Sequence, residues 1–295
     1  RDYYASRGLG DVYKRQVYNP LSVANVLKML EEGRRFTEKD LWENQGKWVS
    51  FYHHGSFAAL GKEECLQGIN IRLAQAAAFL KQTDYLLITF GTAWVYRHRA
   101  TGIIVSNCHK FPGTDFERFR PSAEEIVQLY QPLLAGLRER NPRLKVIFTV
   151  SPIRHWKDGA HANQMSKAIL LLATEALCRY VPQTYYFPAY EILMDELRDY
   201  RFYADDMLHP SSVAIEYIWE KFRDTWIAPR IYDLMRRIDK LNKSLAHRPF
   251  LAESAEYLNF KKRLSEEIQA LKKENQNIWF GSDELSSSNS SVSSV

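Results

Sequence analysis

Apolar positions along this chain switch between two periods, and the switches mark out its elements. Val23, Val26, Leu27 and Leu30 fall three and four residues apart between Asn19-Pro20 and Gly33. That spacing predicts a short amphipathic helix capped by Asn19 or Ser22. Residues 62–81 repeat the helical period up to Thr83-Asp84, and the aromatic stretch between the two, residues 42–57, reads as a loop. Residues 85–90 are then an almost unbroken apolar run ending at Gly91, the pattern of a strand buried in a parallel sheet. Residues 92–106 alternate and turn at Thr101-Gly102, which predicts a hairpin that returns Asn107 toward Gly91.

The same two periods continue downstream. Ser122 and Glu125 form a capping-box pattern that opens a helix to Arg140, and residues 144–150 are a second apolar strand. A long helix over 160–180, a short strand over 184–187 and a helix over 210–226 with Pro210 in its first turn complete the run. Strand and helix in alternation predict an α/β fold, a parallel sheet with right-handed crossovers whose ligands sit at the carboxyl ends of the strands. Gly91, Ser151 and Pro188 mark those ends.

Four segments are expected. Residues 1–16 resemble a translated sequencing-adapter read-through and are set apart as a non-native leader, so that the protein proper begins near Val17. Residues 17–228 form the main domain and residues 229–280 a charged, amphipathic helical hairpin. Residues 281–295 are a Ser-rich tail with no means of forming a core.

Composition narrows the function. The chain has 295 residues, 45% hydrophobic and 13% aromatic, enough for one full core and an appendage. Its 40 basic and 35 acidic side chains leave only +5, with the signs mixed, which does not predict nucleic-acid binding. No apolar run is long enough to span a membrane. The three cysteines, Cys65, Cys108 and Cys178, lack ligand or disulfide spacing, so neither metal nor cofactor is expected.

Candidate chemistry lies in short clusters. Asp206 and His209, three apart, suit a carboxylate that orients an imidazole, and equally a helix cap beside a surface histidine. Gly91 at a strand end and Asn107 offer two donors for an oxyanion, or simply two turn residues. Arg154 and His155 follow the second strand and could hold an anionic or hydroxyl-bearing group; His54, in a His-His-Gly-Ser loop, is a further binding candidate. Cys108 beside His109 is a rival nucleophile, weak because sequence neighbours point apart.

Together the segments Phe90-Gly91-Thr92-Ala93-Trp94, Asn107-Cys108-His109-Lys110, Ser151-Pro152-Ile153-Arg154-His155, Asn163 with Ser166-Lys167-Ala168, Tyr186 to Glu191 and Asp199 to Tyr203 leading to His209-Pro210 resemble the GSCFA family of the SGNH, or GDSL-like, hydrolase group. The resemblance implies a flavodoxin-like three-layer α/β/α domain and ester hydrolysis by a Ser-His-Asp triad, with an acylated carbohydrate or similar small ester as substrate. It assigns Asp206 and His209 to the D-x-x-H block and Gly91 to the glycine of the G-x-N block, where Ala93 replaces the asparagine. The namesake Gly-Ser-Cys-Phe-Ala segment, which supplies the serine, does not occur in this sequence. The expectation is therefore a hydrolase lacking its nucleophile and its first strand; a non-catalytic module binding a glycan or peptide in the same cleft is the alternative.

Overall fold

The computed structural model describes residues 17–246 and 255–275. The expected leader and the Ser-rich tail lie outside them. The described chain is a mixed α/β protein with a parallel sheet flanked by helices and a separate C-terminal helix pair, an arrangement consistent with three α/β/α layers.

Helix α1 (Pro20–Glu32) begins as its sequence dictates. Asn19 is the cap: its Oδ1 accepts the Ser22 N–H at 2.8 Å, Pro20 fills the first turn, and Gly33 ends the helix at φ 64°. Such a cap contributes about 1 kcal/mol. The apolar face of α1 meets helix α2 (Lys62–Leu80) and helix α3 (Ala123–Arg140), and α3 opens on the predicted capping box of Ser122 and Glu125. Tyr130 of α3 is completely buried and donates its hydroxyl to Pro20 O at 2.8 Å, which fastens the start of α1 to the core.

Three parallel strands run in the order β3 (Tyr85–Phe90), β7 (Lys145–Val150), β8 (Thr184–Tyr186). The central strand buries Val146, Ile147, Phe148 and Val150, residues of both faces. Strand β3 differs from the expected fully buried strand. It stands at the end of the order, so Leu86, Ile88 and Phe90 are buried while Tyr85 and Leu87 are half exposed. Helix α4 (Gly159–Tyr180) packs on β7, β8 and α3.

A second, antiparallel sheet, β5 (Ile104–Val105), β4 (Val95–His98), β6 (Phe116–Phe119), grows from the predicted hairpin, whose turn uses Gly102 at φ 71°. Strand β6 has no counterpart in the sequence reading. Nor has the small hairpin β1 (Trp42–Asn44) and β2 (Lys47–Val49) inside the aromatic segment, which turns through Gln45 and Gly46, both at positive φ. Phe51, Val105 and Phe116 form the core of this layer.

The next helix, α5, spans Ser212–Trp226 and not residues 210–226. Pro210 instead bridges to Tyr203, and the Ser211 hydroxyl accepts the Ala214 N–H to start the helix. The chain divides into two compact units within α5, at residues 218 and 219. In the second unit, α6 (Tyr232–Ala246) and α7 (Ala255–Glu274) pack through Leu241, Leu264 and Leu271, with Arg237 bound to Glu274 at 2.8 Å. Among the described residues no helix is long and apolar enough to cross a membrane.

One buried group makes the fold sensitive to acid. His53 is 1% exposed, 3.0 Å from Ser50 Oγ and packed edge-on against Phe36 and Phe57. Burial, then the charge of Arg34 and the proximity of His109, pulls its pKa from 6.5 to about 3. The folded state thus keeps His53 neutral where the unfolded chain would protonate it, and stability is lost as pH falls through 6.5 toward 3. Between pH 7 and pH 4, wild type should lose about 3 kcal/mol more unfolding free energy than His53→Phe in urea titrations. Parallel losses in the two proteins would disprove this account of His53.

Candidate functional site

The carboxyl ends of β3 and β7 are joined by the Ser151 N–H, which donates to Phe90 O at 2.8 Å. One turn of α4 then fixes both of the loops that leave them. Lys167 is 1% exposed, and its Nζ donates to Gly91 O and to Ser151 O, each at 2.6 Å. The neighbouring Ser166 Oγ accepts the Ala93 N–H at 2.8 Å and lies 3.2 Å from Thr92 Oγ1, which in turn accepts the Trp94 N–H. Asn163, one turn earlier, accepts the His155 N–H at 3.0 Å. Desolvation lowers the Lys167 pKa to about 8, so the ammonium form still prevails at neutral pH.

Gly91 sits at a close approach of two chain segments. A Cβ there would stand 3.2 Å from the Tyr18 Cβ, because the backbone of Tyr18 crosses the end of β3. Tyr18 O accepts the Gly91 N–H at 2.7 Å and the Thr92 N–H at 3.2 Å. The amide read from sequence as an oxyanion donor is therefore committed to the chain's own carbonyl. Asn107 does return on β5, but it closes its own turn: its Oδ1 accepts the His109 N–H, and its backbone N–H donates to Phe51 O.

The other loop candidates are held locally. His109 adopts φ 46° and donates Nε2–H to Ser50 O at 2.8 Å. Burial raises the Cys108 thiol above its ordinary pKa, which disfavours the thiolate that a nucleophile needs. His54 accepts the Ser56 N–H on its Nδ1. The Arg154 guanidinium lies over the Tyr203 ring and donates to its hydroxyl at 3.3 Å, tying the loop after β7 to the segment that precedes Asp206. His155 is half-buried, and burial first, then the charge of Lys167, pulls its pKa down.

Asp206 and His209 are brought together, though not on a helix. They occupy a tight turn with Met207 at φ 57°, closed by the Ala204 N–H to His209 O and by the Tyr203 to Pro210 bridge. Asp206 Oδ1 accepts the N–H groups of Leu208 and His209, both at 2.9 Å, and Oδ2 faces His209 Nδ1 at 2.5 Å. The two backbone amides, and after them the imidazole, hold the Asp206 pKa at about 2. A carboxylate so fixed binds the proton on Nδ1 and leaves Nε2 with its lone pair. The His209 side chain is 60% exposed and open to a reactant.

The sequence reading placed Asn163, Ser166 and Lys167 in a segment of the family resemblance but gave none of them a role. Their signal was present: with Leu170, Ala173, Thr174 and Leu177 they lie on the buried stripe of α4, where a lysine is out of place unless it has partners. It also missed the ion pair of Arg118 with Asp158, 2.6 Å, which no local pattern announces. Among the described residues no three His, Cys, Asp or Glu side chains gather as a metal ion would require.

A family model described as GSCFA family matches residues 11–222, and a second, described as GSCFA domain protein, C-terminal domain, matches residues 238–293. No curated protein and no solved structure matches the chain.

The buried ammonium carries its own prediction. Between pH 8 and its ordinary value of 10.5, the folded state releases the Lys167 proton and the unfolded chain does not. The cost of burying charge is relieved across that window, so wild type gains stability relative to Lys167→Met as pH rises, by up to about 3 kcal/mol. Unfolding free energies of both proteins at pH 7.5 and pH 10 measure it. A gap that stays constant or narrows would refute the lowered pKa.

Proposed function

The chain belongs to the GSCFA family, and from that premise we propose that it carries the acid–base half of a serine ester hydrolase, with His209 as the base and Asp206 as the residue that orients it. One observation carries the reading. Asp206 spends one oxygen on two backbone amides and the other on Nδ1 at 2.5 Å, an arrangement that fixes both the tautomer and the direction of the imidazole. A carboxylate serving only as a cap would not need the second contact.

In the proposed reaction a serine hydroxyl attacks the acyl carbon while its proton passes to His209 Nε2. Asp206 stabilises the resulting imidazolium, which then protonates the departing alcohol. Water repeats the sequence on the acyl-serine, giving up a proton to Nε2, and releases the carboxylic acid. Among the described residues no hydroxyl or thiol is hydrogen-bonded to Nε2, so the serine is assigned to the Gly-Ser-Cys-Phe-Ala segment of the family. Gly91 and Asn107 are left out of the proposal as oxyanion donors, since the first donates to Tyr18 O and the second closes onto His109. An acylated carbohydrate or similar ester is the substrate class proposed, with Arg154 and His155 on the loop after β7 as its binding candidates.

As it stands the chain should hydrolyse p-nitrophenyl acetate about 10⁶-fold more slowly than an intact triad enzyme. Fusing the Gly-Ser-Cys-Phe-Ala segment of another family member ahead of Val17 should raise turnover, and His209→Ala or replacement of the added serine should remove the gain. A folded fusion with no gain, or one indifferent to His209→Ala, would sink the hydrolase reading. In the active fusion, Asp206→Asn should lower turnover about 10³- to 10⁴-fold with little change in KM. An effect on KM alone would make Asp206 a binding residue instead.

A further inference from the structure

One face of the second sheet carries cations that the proposed mechanism does not use. Strands β4 and β6 pair Tyr96 with Arg118, which places Trp94, Tyr96, Arg118 and Arg120 on one face of the second sheet. The Arg118 guanidinium lies 4.0 Å from the Trp94 ring centre and that of Arg120 lies 4.6 Å from it. The loop after β7 brings Asp158 to the same face through its ion pair with Arg118, and Lys157, the residue before it, is exposed. Two planar cations on an aromatic platform form an amphipathic surface suited to a ring with a charged substituent.

The charges on this face do not balance. Asp158 answers Arg118, whereas Arg120 meets the Trp94 ring and the neutral carbonyl of Ala162, and among the described residues neither Arg120 nor Lys157 pairs with a carboxylate. Burial first, and after it the charges of Lys167, Lys157 and Arg118, oppose protonation of His155, while Asp158 favours it. The chain as a whole is only +5, so an excess of this kind on one face is a local feature and not a property of the surface at large.

Hydrogen bonding is incomplete at the same spot. Trp94 Nε1, Arg118 Nε and Asp158 Oδ2 are all buried and have no partner among the described residues. The Asp158 side chain is 3% exposed. Buried polar atoms are nearly always paired, and here two donors and one acceptor without partners fall on a single ion pair and the ring beneath it. The donors call for an oxygen and the acceptor for a hydroxyl.

We infer that the substrate is acidic, with its carboxylate or phosphate held at this face by Arg118, Arg120 and Lys157 beside Trp94 and a neighbouring hydroxyl directed to Asp158. The inference rests on the hydrolase reading only for the word substrate; the binding itself needs no turnover. It narrows that reading from any acylated carbohydrate to one bearing an anionic group, and gives the second sheet the task of selecting it. The ester would lie toward His209, linked to this face through Arg154 and Tyr203.

Calorimetric titration of the full chain with D-glucuronate, D-glucose 6-phosphate and D-glucose tests it. At least one of the two anions should bind ten or more times more tightly than glucose, and the stronger of them identifies a carboxylate or a phosphate. The paired change Arg120→Gln with Lys157→Gln should lose most of that preference. Trp94→Phe, which keeps the ring and deletes the N–H, should weaken the anion roughly tenfold. Lys261→Gln with Lys262→Gln, in the second unit, should leave it unchanged. Equal binding of all three sugars, or unaltered binding by the Arg120/Lys157 pair with wild-type circular dichroism, would overturn the inference. Loss of binding in the Lys261/Lys262 control as well would reduce it to general charge attraction and overturn it too. Absence of ester hydrolysis would leave these results readable, and absence of binding would leave the Asp206 and His209 tests standing.

Discussion

The loops that leave β3 and β7 share one buried ammonium group. The carbonyls of Gly91 and Ser151, the residues that follow those strands, both face it. Lys167 answers both at 2.6 Å from a single position on α4. Because the same turn of helix also carries Ser166 and Asn163, the loops after β3 and β7 are set by the rotation and height of one helix relative to the sheet. A buried charge is tolerated only when it is fully bonded, so this contact is strong in place and costly to leave half made. The placement of the two loops therefore comes from an internal bond and not from their own conformations.

Local chemistry governed what could be read from the sequence. The helices and the two long parallel strands were legible because periodicity, the Asn19 and Ser122 caps and Gly33 all act over a few residues. Strand β6 was not, because four residues between turns carry no decisive period and are strands only through pairing with β4. Pro210 suited the first turn of a helix by propensity, yet its bridge to Tyr203 displaced the helix start to Ser212. Tertiary pairing overrode a local preference in both places.

The site divides along the same line. Asp206 and His209 were found from spacing, although the reason for the spacing is a turn closed at Met207 and not a helix. Gly91 was read as an oxyanion donor, but its N–H donates to a carbonyl 73 residues away in sequence, where the chain at Tyr18 passes close to the end of β3. A glycine at a strand end suggests an available amide, and only the fold reveals which carbonyl has already taken it. The Arg118 and Asp158 pair, joining two separate sheets' worth of loops, had no sequence signature at all.

The contacts behind the strand ends are remote in sequence. Tyr130 reaches Pro20 across 110 residues, Lys167 reaches Gly91 across 76, and Ser166 reaches Ala93 across 73. Each closes a long loop at a cost in chain entropy, and each is buried. A substitution at any of these three side chains therefore acts on backbone that is far from it along the chain, so damage to the loops after β3 and β7 can originate in helices that carry no candidate chemistry.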